Sequence, residues 1–334
     1  MKTVKKLLCG LLVMCMVVVG ITVVPQTVQA ETASGDDGEI HWEIKGDTLT
    51  LSAVKGTKGE MKDYTTENKP QWAKSNQITK VKNIFISNGI TKLGTFAFFQ
   101  LDCKIDKFII PSSVDTVPSN FVFCMEINKI VLCDGIKTVE DEAFSITSVN
   151  ELYSSRNTYV SDVNFIHPAD GCYTNLQTVY TYSGSSAETM INNFIRYAKE
   201  SDETGGVTST NPKWDGKYFG ILDENGKCVF SINVVLLDKT STLSKAKATS
   251  SISVTKGKSQ TIKITLPTGF TKVTKYSGNP ADVKVTFKSS NPKVATVSSS
   301  GKVTGKKKGT AKITVTMQIK NGAKKTVTTK VTVK

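Results

Sequence analysis

Short apolar runs return at a near-fixed interval through the middle of the chain. They read "KNIFIS", "DKFIIP", "NKIVLC", "NELYSS" and "LQTVYTYS", and Phe85, Ile109 and Val131 keep intervals of 24 and 22 residues. A second pattern runs in phase with the first. "GITKLGTFAF" (Gly89–Phe98) and "GIKTVEDEAF" (Gly135–Phe144) are nearly the same phrase, and "SSVDTVPSNFVF" lies between them. Val114 and Val117 stand there for Ile90 and Leu93, and for Ile136 and Val139; the aromatics that follow are Phe98, Phe121 and Phe144. A short apolar strand cannot bury its own face, but stacked copies can cover one another. The period therefore predicts a solenoid with one parallel strand per repeat.

An open solenoid end exposes core, so both ends need caps. Before the repeats, "DTLTLSA" alternates as a strand should. After them, "SSAETMINNFIRYAKE" places Ala187, Met190, Ile191, Phe194, Ile195 and Ala198 on one helical face, with Ser185 and Glu188 as a capping box. "SDETGGVTSTNP" reads as a linker, and "KYFGILDENGKCVFSINVV" as a hairpin that either extends the solenoid or stands apart. From residue 250 the pattern changes to strict alternation, as in "SQTIKITL", "AKITVTM" and "TVTTKVTV", broken by Gly257, Gly269, Gly301, Gly309 and Asn321-Gly322. That pattern predicts an antiparallel sandwich.

The central repeats resemble the BspA-like leucine-rich-repeat proteins of bacterial surfaces. The residues that carry the resemblance are Leu93-Gly94, Ala97-Phe98, Ala143-Phe144, Ile110-Pro111 and the cysteines Cys103, Cys124 and Cys172, over roughly residues 38–200. The resemblance implies that these cysteines form a buried internal column; Cys133 stands where the family prefers proline. The C-terminal stretch closely resembles the group 2 bacterial Ig-like domain through Ser289-Ser290-Asn291-Pro292, Val294-Ala295-Thr296-Val297, Val303-Thr304-Gly305 and Gly309-Thr310-Ala311. The expected fold is mainly β, a capped leucine-rich-repeat solenoid followed by an Ig-like β-sandwich. The expected divisions are a signal peptide at 1–30, an N-terminal β cap at 31–80, the solenoid with its C-terminal capping helix at 81–204, a linker and hairpin at 205–249 and the Ig-like domain at 250–334. Solenoid and sandwich are expected to fold separately.

Composition adds location and charge. Lys2, Lys5 and Lys6, an apolar core and "VQA" make a secretory signal with Glu31 as the expected mature terminus, leaving no membrane span after cleavage. Five cysteines remain, an odd number with neither zinc nor CxxC spacing. Eighteen lysines, no arginine and one acid, Asp282, give residues 250–334 a net +17, whereas residues 31–249 carry −6. Such asymmetry points to an anionic partner.

Catalytic patterns are missing. His41 and His167 lack neighbours at metal-ligand spacing, no nucleophile elbow occurs, and Asp162 and Asp170 lack a calcium-ligand ladder. The expectation is no enzyme, no cofactor and no specific nucleic acid, since aromatics are not interleaved with the lysines. The resemblance implies a secreted or cell-surface protein that adheres through its solenoid to a host matrix protein or glycan, or to another bacterium. The basic domain would serve as spacer or wall-associating module, with Lys302, Lys306, Lys307 and Lys308 as candidate contacts for a bacterial cell-wall polymer. A noncatalytic glycan-binding or accessory scaffold is the alternative.

Overall fold

The computed structural model describes residues 32–161, 176–191, 211–214, 218–222 and 228–334. Residues 1–31, Cys172, His167, Asp162, Asp170 and the second half of the expected capping helix lie outside the described residues.

The recurring runs become one side of the solenoid. Strands Asn83–Ile86, Lys107–Ile110, Glu126–Leu132, Ser148–Tyr153 and Thr178–Thr181 pair in parallel. In register, Ile84, Phe108, Ile130, Leu152 and Val179 form a transverse row pointing inward, and each is fully buried. Two narrower ladders close the other sides. Thr116–Val117, Thr138–Val139 and Tyr159–Val160 form one, and Phe98–Phe99, Val122–Phe123 and Phe144–Ser145 the other. Period-2 alternation sends Val117, Val139 and Val160 from the first, and Phe98, Val122 and Phe144 from the second, into the shared core.

Register refines the aromatic column. Phe98 aligns with Val122 and Phe144, so Phe121 occupies the place that Ala97 and Ala143 hold in the flanking repeats. The exchange of Ala-Phe for Phe-Val keeps the layer filled. Phe121 packs 5.2 Å from Phe98 and 5.9 Å from Phe108, ring centre to ring centre.

The cysteine column is corrected. Cys124 is exposed, not buried. Left-handed residues four apart bracket each strand of the last ladder: Phe96 and Gln100, Asn120 and Cys124, Glu142 and Ile146. The turn at Cys124 (φ 54°) sends its Cβ outward, and Met125 takes the buried place. Cys103 is half-buried and Cys133 buried.

Both ends of the sheet are built as antiparallel caps. Thr32–Asp37, Ile40–Lys45 and Thr48–Ala53 form a meander whose last strand joins the first repeat in parallel. Trp42, Leu49, Leu51, Met61, Tyr64 and Trp72 are all buried there. At the far end Cys228–Leu236 pairs in parallel with Thr178–Thr181, and the hairpin strands Tyr218–Leu222 and Asn211–Trp214 follow in antiparallel order. The hairpin thus extends the solenoid, completing a 12-stranded sheet among the described residues. The helix begins with the Ser185 half of the expected capping box, while the Glu188 carboxylate reaches one residue further back, to Gly184 instead of Ser185. Ser185 Oγ accepts from the Glu188 N–H (3.2 Å), and Glu188 Oε2 accepts from the Gly184 N–H (2.6 Å). Ala187, Met190 and Ile191 are buried against the last repeat.

The C-terminal module is a sandwich. One sheet orders Ser251–Val254, Lys324–Val333, Gly309–Ile319, Asp282–Ser289 and Thr271–Val273; the other holds Ser259–Thr261, Lys302–Gly305 and Ala295–Val297. Its outermost pairings on the larger sheet are parallel rather than antiparallel. Residues Thr32–Lys334 form one compact unit.

Candidate functional site

A single row of outward-facing residues crosses the main sheet. In register it runs Ser34, Glu43, Thr50, Phe85, Ile109, Val131, Tyr153, Tyr180 and Val235. The row changes from polar to apolar along its length. Outward apolar residues need cover, and the Ig-like module provides it. Val131, Cys133, Tyr153, Tyr180 and Tyr182 share one apolar cluster with Ala281, Val283 and Leu237, and Ile109, Val235 and Phe270 pack against it. Tyr153 and Tyr180 stack at 4.2 Å and 7°, and Phe270 meets Tyr180 edge-on at 5.9 Å. The approach is close: a Cβ on Gly269 would lie 2.2 Å from the Tyr180 hydroxyl oxygen, and Gly269 sits at φ +89°.

Polar contacts fix the docking angle. The Asp134 N–H donates to Gly278 O, the Ala323 N–H to Leu237 O and the Tyr182 hydroxyl to Lys320 O, each at 2.8 Å. Lys320 Nζ pairs with Asp134 at 2.8 Å. The boundary between solenoid and sandwich is therefore a packed seam. Sequence reasoning missed it, although a signal existed. "FII", "IVL" and "VYTY" are apolar at consecutive positions, and a strand apolar on both faces is buried on both.

The covered half of the sheet cannot receive a ligand while the seam is closed. The uncovered half presents His41, Glu43, Thr50, Ser52 and Phe85, with Lys107 Nζ 5.8 Å from the Phe85 ring centre. His41 is bound to Asp36 (Nδ1 to Oδ1, 2.6 Å) and exposed. Among the described residues no group of histidine, cysteine and carboxylate side chains could hold a metal ion.

The lysines of the sandwich are not evenly spread. Lys306, Lys307 and Lys308 lie in the turn that leads into Gly309–Ile319, and the seam turn at Lys320 lies at that strand's other end. Eleven residues of strand separate the two by roughly 33 Å. Chain folding brings further lysines to this pole. The Lys256 N–H donates to Lys334 O (2.9 Å), the Gly257 N–H to Gly305 O (2.9 Å) and the Gly305 N–H to Lys258 O (3.1 Å). Lys256, Lys258, Lys306, Lys307, Lys308 and Lys334 are all exposed. Lys302 opens the four-residue strand that ends at Gly305. It is exposed but stands about 10 Å back from the pole.

Comparison with known proteins gives these modules their class. Residues 75–167 match the BspA type leucine rich repeat region in 6 copies. Residues 245–328 match the bacterial Ig-like domain (group 2). The chain thus joins a BspA-type repeat region to a C-terminal bacterial Ig-like domain, both noncatalytic module types. Among solved structures it is similar to domains 4 and 5 of the S-layer protein SbsC, at 24% identity and a TM-score of 0.23, over 38% of this chain and 69% of that one. No curated protein matches the chain.

Proposed function

We propose that this is a secreted, surface-associated interaction protein held by its Ig-like module and presenting its solenoid outward. The observation that carries the reading is the lysine pole, which lies at the end of the sandwich opposite the seam. Six exposed lysines without a carboxylate partner among the described residues form a diffuse positive end. Lysine is a strongly hydrated point charge without the planar fork of arginine, so the pole suits a flexible anionic polymer better than a shaped ligand. An anionic polymer of the cell wall is the partner proposed. Attachment there would hold the solenoid at the far end of the sandwich, roughly 33 Å from the pole, with the uncovered part of its sheet open to a ligand. That face mixes His41, Glu43, Thr50 and Phe85, which favours a protein ligand over a stacked glycan, and adhesion to a host or bacterial surface protein is the role we assign to it.

The test is binding of the purified protein to an anionic cell-wall polymer and to a neutral glycan across a salt series. Exposed charges are screened beyond about 8 Å at physiological salt. Binding to the anionic polymer should fall steeply as salt rises, and neutral glycan should bind little throughout. Replacing Lys256, Lys306, Lys307 and Lys308 together by Gln should abolish most of the attachment, while Lys302→Gln alone should have a small effect. Equal binding to both polymers, or none at low salt, overturns the reading.

A further inference from the structure

Beside the seam lies a pocket of about 340 Å³. It is bounded by the turns after successive sheet strands and by the tip of the sandwich hairpin. Its lining includes Asp134, Lys137, Arg156, Asn157, Tyr182 and Lys320. Three cations and one carboxylate stand on the lining, and each cation is ion-paired, with Asp115, Asp238 or Asp134, so what the wall holds in excess is unused N–H donors and not net charge. No single module makes this pocket. Lys320 and Asn321 come from the Ig-like hairpin, and the rest from the solenoid.

The donors are held in place and only partly used. Arg156 donates to Ser183 O (3.1 Å) and to Asp238 Oδ2 (2.8 Å), with its guanidinium carbon 4.8 Å from the centre of the Tyr182 ring. A guanidinium has five N–H groups, so three remain unclaimed among the described residues. Lys137 binds Asp115 at 2.7 Å and Lys320 binds Asp134 at 2.8 Å, each keeping further donors. Asp115 and Asp238 neutralise Lys137 and Arg156 from outside the lining. The acid that lines the cavity, Asp134, is drawn to Lys320. The inner wall therefore offers more hydrogen-bond donors than acceptors. The Asn157 and Asn321 side chains are exposed at its mouth and can both give and accept.

We propose that this seam pocket binds a small hydroxylated acid, with one carboxylate or phosphate group set between Arg156, Lys137 and Lys320 and a sugar-like or polyol frame against Asn157 and Asn321. The volume falls at the lower end of the range for small-ligand sites. Arginine stacked on an aromatic ring is preorganised for a planar, two-pronged anion, and such charge-assisted bonds are the strong ones. Because both modules supply donors, the ligand would also bind only the docked arrangement.

Titration of the purified protein with glucuronate, glycerol phosphate and glucose, followed by calorimetry and by NMR shifts, tests this. Glucuronate or glycerol phosphate should bind, whichever carries the better-fitting anion, and glucose should bind at least tenfold more weakly. Shifts should centre on residues 134–137, 155–157 and 320–321. Arg156→Gln should weaken binding about tenfold, the scale of one bidentate charged contact. Since that change also removes the Asp238 pair, Lys137→Gln serves as the second variant, with a smaller loss and an unchanged melting temperature. Replacing Lys306, Lys307 and Lys308 by Gln should leave this binding intact, which separates the pocket from the attachment pole. The proposal fails if glucose binds as well as the acids, if no probe binds, if Lys137→Gln has no effect, or if the shifts spread over the lysine pole.

Discussion

Two cysteines one strand apart in the repeat behave differently, and the backbone explains why. Cys124 ends its strand in a left-handed turn and points to solvent. Cys133 faces the seam, where burial above all pushes its thiol up to about 12. At pH 8 that leaves roughly one thiolate in ten thousand. Thiol labelling of the native protein should modify Cys124 rapidly and Cys133 only on unfolding; rapid modification of Cys133 would show that the seam opens. Ile146 occupies the position equivalent to Cys124, at φ 51° and 66% exposed. A β-branched residue there is strained and gains nothing from burial. Ile146→Asn should stabilise the protein by about 1 kcal/mol, read as a rise in the denaturant midpoint.

Elements hold together through exchanges that keep each layer full. Phe121 fills a position that alanine holds in the repeats on either side, and Val122 then yields the space that phenylalanine takes elsewhere. Phe121→Ala should cost about 3–5 kcal/mol, because no neighbour can close that volume. The double change Phe121→Ala with Val122→Phe should recover a large part of it, measured by equilibrium unfolding. Gly94 shows the same tightness in backbone: a Cβ there would lie 1.8 Å from Lys62 O, so the entry of the repeat accepts no side chain. At the other cap, Ser185→Ala removes the acceptor for the Glu188 N–H and should cost about 1 kcal/mol.

On the scale of the whole molecule, the seam decides how the two modules behave. Tyr153, Tyr180 and Tyr182 are buried in it, and burial raises all three hydroxyls above their ordinary value of 10.0. Together with Cys133, these groups keep their protons to higher pH in the folded protein than in the unfolded chain. Their contribution is complete below about pH 9 and is lost as pH rises toward 12. Stability should therefore fall across pH 9–11, with phenolate absorbance rising late and together with unfolding; early ionisation of the buried tyrosines would contradict the packing. Tyr180→Ala should free the sandwich from the solenoid, seen as a larger radius of gyration in solution scattering and new proteolytic cleavage near 237–250.

The sequence alone determined what repeats locally. The intervals of 24 and 22 residues, the helix N-cap at Ser185, and the strict alternation after residue 250 each reflect a pattern that a solenoid, a helix end or a sandwich must have. The lysine excess was equally plain. Tertiary structure decided everything that depends on which distant segments meet. Outward positions such as Val131 and Tyr180 are apolar because another module covers them, a relation the chain does not print locally. Lys256 and Lys334 join Lys306 only because the two sheets of the sandwich bring their ends to one pole. Arg156 and Lys320 line one cavity only because the hairpin tip reaches the repeat turns. Cys124 turned outward because a left-handed backbone, set by stacking of the repeats, overrode what its residue type suggested.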